Sequence, residues 1–211
     1  MAHSPILSST IGERIPVPPD GEDFTLRTET GASAKDEREV PETQSKLVFC
    51  GLQNGTFEMF DLREKTSVYR SPAPSPSTAG SLTSITYNDA HHLLATGSSK
   101  GIVSVYDIRT LRSDESGASV TTFRRNEAAI EDLEFAVRGV EVRLGIATAD
   151  GLPYIADVAP EGPAVGAELV DGDCDPVRCL KVRDVQDDNA GGCKLEVWSA
   201  ADDAIIRRYL A

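Results

Sequence analysis

The sequence is poor in the residue combinations that build metal and catalytic sites. Its four cysteines, Cys50, Cys174, Cys179 and Cys193, form no CxxC pair and match no histidine spacing, which argues against a zinc site. The chain has only three histidines, and no nucleophile, base and orienting group are brought together by any motif. We therefore expect no enzyme activity, no catalytic or metal-binding residue and no cofactor.

Long apolar runs are also absent. No stretch approaches the length of a membrane span, and the N-terminus lacks the charged-then-apolar form of a signal peptide. Cysteines without a disulfide framework fit a reducing compartment. The sequence therefore predicts a cytoplasmic or nuclear protein that does not bind membranes.

Basic residues are few. Lysine and arginine number 21 against 34 acidic residues, so the formal net charge is -13. Such a surface repels phosphate backbones, which argues against nucleic-acid and anionic-membrane partners and favours basic or mixed-charge protein partners. The charge also has a simpler explanation, since it keeps a β-rich protein soluble.

What the sequence does contain is a pattern that recurs four times. Each copy has an apolar run with small residues, a tight polar turn and an alternating run; the first two copies end in an aromatic–Asp pair. The turn position is occupied by Gly55, Gly101, Gly151 and Ala204, so consecutive copies are 46, 50 and 53 residues apart. This spacing is close to the period of propeller blades and indicates a binding scaffold.

Period-2 alternation dominates from residue 46 onward and predicts about fifteen short antiparallel strands in four-stranded sheets. The second copy shows all four strands as SLTSITYN, HLLATGSS, IVSVYDI and ASVTTFRR. In the third copy, Pro153 weakens the assignment of a third strand. Residues 1–45 are rich in Pro, Ser, Thr and Glu, so we expect a largely flexible segment with one possible strand at 24–30. Residues 46–211 would form the blades.

The repeats resemble WD40 repeats. The pairs Phe60-Asp61 and Tyr106-Asp107 stand where that family has its Trp-Asp dipeptide, while the Gly-His dipeptide that usually precedes the first strand is missing. The resemblance implies an all-β fold of WD40-type β-propeller blades. Because such propellers have about seven blades of 40–45 residues and this chain supplies about three and a half, we expect an incomplete propeller.

Two modes of closure stay open at this stage. The final segment AIIRRYLA matches the third strand of a last blade that has no fourth strand after it. In the WD40 family the N-terminal segment commonly supplies that strand, so residues 6–17 are one candidate for closing a four-bladed ring. In the other interpretation, which we favour, the chain is the C-terminal half of a longer propeller, and its exposed strand edges invite association.

The C-terminal segments DCDPVRCL and VWSAADDAIIRRYL are similar to the ending of the proteasomal ATPase-associated factor family. That resemblance implies a non-enzymatic chaperone that holds an ATPase subunit during assembly of the proteasome regulatory particle. A basic ATPase domain would contact the blade end that carries Asp150, Asp202 and Asp203.

A different class of partner is indicated by Arg63 and Arg109, which follow the two aromatic–Asp pairs at the same point of adjacent copies. The windows 48–63 and 94–109 resemble the sixteen-residue motif by which some WD40 proteins dock on the adaptor of a cullin ubiquitin ligase. This resemblance implies that the chain is a substrate receptor. Alternatively, each arginine pairs with a nearby acid on a solvated rim. A third possibility is a truncated propeller without independent function.

Overall fold

The computed structural model describes residues 6–11, 46–64, 66–72, 80–111, 119–138, 141–158, 164–170, 174–187 and 192–210. Within these residues the chain forms fifteen β-strands and no helix, arranged as four antiparallel sheets that we call blades one to four. The predicted all-β fold of incomplete propeller blades is confirmed.

The blades follow one another along the chain. Blade one contains β1 (Ile6–Ile11), β2 (Leu47–Leu52), β3 (Phe57–Asp61) and β4 (Thr66–Arg70). Blade two contains β5 (Leu82–Asn88), β6 (Leu93–Ser98), β7 (Ile102–Asp107) and β8 (Thr121–Arg124). Blade three contains β9 (Ile130–Arg138), β10 (Glu141–Thr148), β11 (Tyr154–Asp157) and β12 (Ala164–Glu168). Blade four contains only β13 (Val177–Asp187), β14 (Gly192–Ala201) and β15 (Ile206–Leu210).

The cores lie between the blades rather than inside a single sheet. One cluster joins blade two to blade three through the fully buried Val103, Val105, Leu144 and Ile146. Strands in the middle of a blade are covered on both faces, so they are apolar or small at nearly every position. Gly97 shows why small residues are required: a Cβ atom there would lie 2.5 Å from a side-chain carbon of Ile130. Blades two and three therefore approach each other closely at Gly97.

The four recurring turns share a positive φ at the turn position. Gly55, Gly101 and Gly151 have φ values of 82°, 73° and 78°, and Ala204 has a φ of 61°. Alanine in this left-handed region brings its Cβ close to the following carbonyl oxygen, at a cost of roughly 1–2 kcal/mol. Blade four therefore contains a strained turn where the other blades have glycine.

This strain gives a stabilising prediction. Ala204→Gly is expected to raise the free energy of unfolding by about 1 kcal/mol, because glycine adopts positive φ without the Cβ clash. Ala200→Gly in the neighbouring strand β14 is the matched control, and it should lower the stability by roughly 0.5–1 kcal/mol. Urea unfolding of the three proteins measures both effects, and equal signs for the two changes would contradict the strain argument.

The N-terminal strand does not close a ring in the described part of the chain. β1 pairs antiparallel with β2, with Ile11 opposite Val48, and so forms the inner strand of blade one. The closure hypothesis assigned residues 6–17 to the last blade. It is wrong for β1, because β1 pairs with β2 of blade one. Among the described residues no sheet pairing joins blade four to blade one. The possible strand at 24–30 lies outside the described residues, so that part of the prediction stays open.

Pro153 does not interrupt the third strand of blade three. It lies one residue before β11, where it has no ladder hydrogen bond to donate. Its carbonyl oxygen accepts a hydrogen bond from the backbone N–H of Leu169 at 3.0 Å. The third strand exists as the alternation predicted, and it begins one residue after the proline.

Candidate functional site

The residues singled out from the sequence lie at opposite ends of the blades. Arg63 and Arg109 follow β3 and β7, the third strands of blades one and two, and form what we call the arginine rim. Asp150, Asp202 and Asp203 lie in the turns between the second and third strands of blades three and four. We call these three residues the acidic rim. Because strands alternate in direction within a blade, these two sets of turns are at opposite ends.

The arginine rim contains the same fork twice. Arg63 donates from Nε to Asp61 Oδ1 at 2.9 Å and from Nη2 to Asp61 Oδ2 at 2.5 Å. Arg109 repeats the arrangement with Asp107 at 2.9 and 2.6 Å. The backbone N–H of each arginine also donates to the same carboxylate, at 2.9 and 3.0 Å. A two-residue separation after the strand therefore closes an Asp–Arg unit that is fixed by at least three hydrogen bonds.

These forks keep the aspartates ionised and leave the arginines accessible. The hydrogen bond from Arg63 lowers the pKa of Asp61 from 3.8 to about 2, and the one from Arg109 lowers the pKa of Asp107. The arginine side chains are 68% and 63% exposed. The hydrogen bonds found for these two side chains among the described residues use Nε and Nη2. Each arginine therefore pairs with a nearby acid, as the alternative interpretation states. Docking of a partner on the exposed guanidinium groups stays a prediction.

The other two blades do not continue this rim. Asp157 occupies the equivalent position in blade three, but its partner is Arg143 on the neighbouring strand, at 3.0 Å. Blade four has Leu210 at this position. The exposed Asp–Arg fork is therefore a feature of blades one and two within the described chain.

On the acidic rim, Asp150 has a role within its own turn. It accepts hydrogen bonds from Thr148 Oγ1 at 2.5 Å, Asn126 Nδ2 at 2.5 Å and the backbone N–H of Leu152 at 3.2 Å. Burial raises its pKa, but these hydrogen bonds and Arg125 outweigh burial and leave the pKa below its ordinary value. The carboxylate thus stabilises the turn that leads into β11.

The two acids of blade four are paired in a similar way. Asp203 accepts from the backbone N–H of Ile205 at 2.9 Å and lies 2.5 Å from Arg207 Nη2. Asp202 binds Arg178 at 2.8 Å, and Arg178 also donates to Glu131 of blade three at 2.8 Å. The acidic rim therefore holds turns and links two blades, and its charge is partly neutralised by arginines of the same chain.

No metal or disulfide site is formed within the described ranges. Among those residues no group of three or more His, Cys, Asp and Glu side chains is placed to hold a metal ion. The three cysteines whose side chains are described, Cys50, Cys174 and Cys179, are free thiols. In the same part of the chain there is no helix of the length and apolarity that a membrane crossing requires.

Sequence reasoning missed a charged cluster on the face of blade four that points away from blade three, which we call its outward face. Glu196 is fully buried, and it accepts hydrogen bonds from Arg183 and Arg208. The guanidinium of Arg208 lies 5.7 Å from the ring centroid of Trp198. An alignment of the repeats could have indicated this cluster, because Glu196 occupies the position that the apolar Leu93 has in blade two.

This cluster predicts a specific dependence of stability on pH. The hydrogen bond from Arg183, helped by that from Arg208, lowers the pKa of Glu196 from 4.5 to about 2 against the effect of burial. A lowered folded-state pKa stabilises the protein above pH 4.5, and this contribution is lost as the pH falls toward 2.

We therefore expect the stability difference between the wild-type protein and Glu196→Gln to shrink across that window. Urea unfolding of both proteins between pH 5 and pH 2.5 measures the difference, and carboxylates common to both cancel in it. A stability difference that stays constant with pH would show that the two arginines do not lower the pKa of Glu196.

Comparison with solved structures shows the fold. The chain is 20% identical to the computationally designed protein Ika4, with a TM-score of 0.56 over 78% of this chain and 85% of that one. It is 17% identical to Sqt1 of Saccharomyces cerevisiae, with a TM-score of 0.59 over 79% of this chain and 41% of that one. A chain of the mitotic checkpoint complex is 14% identical, with a TM-score of 0.58 over 79% of this chain and 46% of that one. The chain thus spans less than half the length of the last two proteins.

Sequence comparison identifies the family. No curated protein sequence matches the chain significantly. The family model described as the nucleolar protein 10-like N-terminal domain, a β-propeller, matches residues 23–151, which is 129 of the 211 residues. The proteasome-associated family suggested by the C-terminal segments is not supported by any of these comparisons. The chain belongs to the nucleolar protein 10-like N-terminal β-propeller family.

Proposed function

We propose that the chain is a non-enzymatic protein-binding scaffold of the nucleus that docks a partner on its arginine rim. The observation that carries this proposal is the repeated, exposed Asp–Arg fork of blades one and two. Each arginine side chain is held in one orientation by at least two hydrogen bonds to its aspartate, so little side-chain entropy is lost when a partner binds.

The partner class that this rim fits is a protein with carboxylates or carbonyl oxygens at matching spacing, such as the adaptor of a cullin ubiquitin ligase. An arginine fork makes directed hydrogen bonds at interfaces, and two forks on adjacent blades fix the orientation of the partner. In this proposal the chain is a substrate receptor, and its remaining surface binds the protein to be modified.

The family supports the nuclear location. The description of the matching family refers to a nucleolar protein. A cytoplasmic pool is not supported by any comparison.

A second candidate function is assembly of the proteasome regulatory particle by holding an ATPase subunit. One observation favours it: the formal net charge of -13 attracts a basic domain over about a Debye length. The acidic rim supports it less, because Asp150 and Asp203 accept hydrogen bonds from their own turns and Asp202 is paired with Arg178.

The two functions are separated by binding experiments with purified components. The 211-residue chain is mixed with a purified ligase adaptor and, separately, with a purified proteasomal ATPase subunit, and binding is followed at 50 and 300 mM salt. Adaptor binding that depends on the arginine rim supports the receptor proposal. Binding of the ATPase subunit alone, weakened by salt, would replace it with the chaperone function.

A further inference from the structure

We propose that Thr110 is a phosphorylation site and that a phosphate on it weakens docking of the partner at Arg109. The proposal rests on the docking function of the arginine rim proposed above. In the reaction a protein kinase transfers the γ-phosphoryl group of ATP. The threonine Oγ1 attacks the γ-phosphorus, the bond from that phosphorus to the bridging oxygen breaks, ADP leaves, and the hydroxyl proton is released. The product carries about two negative charges at neutral pH.

The turns that carry the two rim arginines are built in the same way. In each turn, the N–H of the residue before the arginine donates to the carbonyl of the residue that precedes the second strand, at 2.9 Å in blade one and 3.0 Å in blade two. The N–H of the residue after the arginine donates to the carbonyl of Asp61 in blade one and of Asp107 in blade two, at 3.0 and 3.1 Å. Positions 64 and 110 are therefore equivalent.

These equivalent positions hold an acid in blade one and a hydroxyl in blade two. In blade one, the paired aspartate raises the pKa of Arg63, and the exposed Glu64 adds to that effect. In blade two, Thr110 is exposed, and Asp107 is the acid that raises the pKa of Arg109. Blade one therefore shows that this turn accepts an anionic side chain one residue after its arginine, close enough to act on that arginine.

The hydroxyl of Thr110 is not needed to hold its turn. Its Oγ1 donates to the carbonyl oxygen of Asp107 at 2.9 Å, and the backbone N–H of Thr110 donates to the same oxygen at 3.1 Å. Phosphorylation removes the hydroxyl donor and leaves the backbone donor, so the carbonyl keeps a partner. The turn of blade one forms with Glu64, whose ionised carboxylate has no hydrogen to donate. We therefore expect the turn of blade two to persist after phosphorylation.

A phosphate on Thr110 changes the charge that this part of the arginine rim presents. Arg109 is 63% exposed, and its Nε and Nη2 bind the carboxylate of Asp107, so the charges of these two residues cancel. The phosphate then sets the local charge to about -2. His92, which also acts on Asp107, adds at most one positive charge. The added anion attracts the exposed guanidinium group and repels a carboxylate of the partner.

Blade one does not respond to this modification. Its equivalent residue, Glu64, is permanently acidic, and the charge of Glu64 is offset by Lys46, which acts on Asp61 of the same fork. Phosphorylation therefore alters one of the two forks. A partner that uses both forks should bind the phosphorylated chain more weakly, but the loss should be smaller than when both arginines are reversed in charge.

One measurement tests the contact between phosphate and arginine without any partner. The 211-residue chain is prepared with phosphothreonine encoded at position 110, and the phosphate is titrated by phosphorus NMR. The second pKa of a phosphate monoester on a side chain is about 6. We expect a lower value in the chain, because the cation of Arg109 favours the dianion, and a return toward 6 when Arg109→Gln is introduced. A second pKa that is the same with and without Arg109 would overturn the proposal.

A second measurement tests the effect on docking. Binding of the purified ligase adaptor at low salt should be at least roughly tenfold weaker for the phosphorylated chain than for the unmodified chain. Thr110→Val, which cannot be phosphorylated, should bind like the unmodified chain. Val170→Glu, which adds an exposed charge at the acidic-rim end of blade three, is the control and should also bind normally. Equal binding of the phosphorylated and unmodified chains would contradict the proposal, whereas no binding of the unmodified chain would remove the docking function itself.

The occurrence of the modification is tested on the protein isolated from its own cells with phosphatases inhibited. Cleavage before aspartate releases residues 107–113 as one peptide, since Asp107 and Asp114 bound it. Fragmentation in the mass spectrometer distinguishes a phosphate on Thr110 from one on Ser113. We expect phosphate on Thr110 in part of the peptide. Recovery of this peptide from both dividing and resting cells with no phosphate on Thr110 would show that the site is not used.

Discussion

Reversing the charge of both rim arginines, by Arg63→Glu together with Arg109→Glu, is expected to abolish recovery of the ligase adaptor in a pull-down. The change replaces two exposed cations with two anions, each beside an aspartate that is ionised at neutral pH. Like charges placed at an interface cost several kcal/mol, so binding should fall by at least roughly a hundredfold. Exposed ion pairs contribute little to stability, about 0–1 kcal/mol, so the variant is expected to remain folded.

Two controls make this result interpretable. Arg143→Glu also removes an arginine from an aspartate partner, but on blade three, where the exposed Asp–Arg fork is absent, and it should leave adaptor binding unchanged. The milder pair Arg63→Gln with Arg109→Gln should give an intermediate loss of binding, because glutamine is a shorter, neutral donor and adds no negative charge. Undiminished adaptor recovery with the double Glu variant would remove the arginine rim as a docking surface, while the propeller fold would stand.

Leu144→Ala is expected to lower the free energy of unfolding by about 2–5 kcal/mol. Leu144 is fully buried in the cluster that joins blades two and three, where it packs with Val103 and Val105. Removing three carbons there leaves a cavity between two rigid sheets that cannot close on it. Since domains of this size have total stabilities of about 5–15 kcal/mol, the loss is a large fraction of the whole.

Leu152→Ala is the matched control, because Leu152 lies in the adjacent turn and is 45% exposed. Its effect should stay within about 0.5 kcal/mol. Urea unfolding followed by circular dichroism reports all blades, and the emission of Trp198 reports blade four. Because each blade is stabilised by its neighbours, we expect the two transitions of Leu144→Ala to shift together. Separate transitions would show that blade four unfolds independently of blades two and three.

Much of the strand arrangement could be predicted from local pattern. Alternation located β5 to β8 as four consecutive strands, and the turn glycines marked where each second strand meets the third. Ala204 was correctly aligned with these glycines, since its N–H donates to the carbonyl three residues earlier, as in the other three turns, and its φ is positive. These features depend on residues within a few positions of one another, which is the range that a sequence pattern covers.

The roles of the candidate site residues could be predicted only in part. The recurrence of Arg63 and Arg109 placed them at one end of the blades, and their separation from an aspartate made pairing a stated alternative. By contrast, Asp150 was selected for its charge, but its carboxylate accepts a hydrogen bond from Asn126, 24 residues away. No local pattern contains that contact.

The sequence by itself determined the fold class, the order of the strands and the turns with positive φ, because periodicity and glycine placement act locally along the chain. Only the tertiary structure decided that β1 belongs to blade one, that Glu196 lies buried between two arginines, and that the edge of blade four is open in the described chain. Each of these depends on which distant segments pair and in what register. Register is set by the packing of whole sheets against one another, so a single blade-like repeat does not contain it.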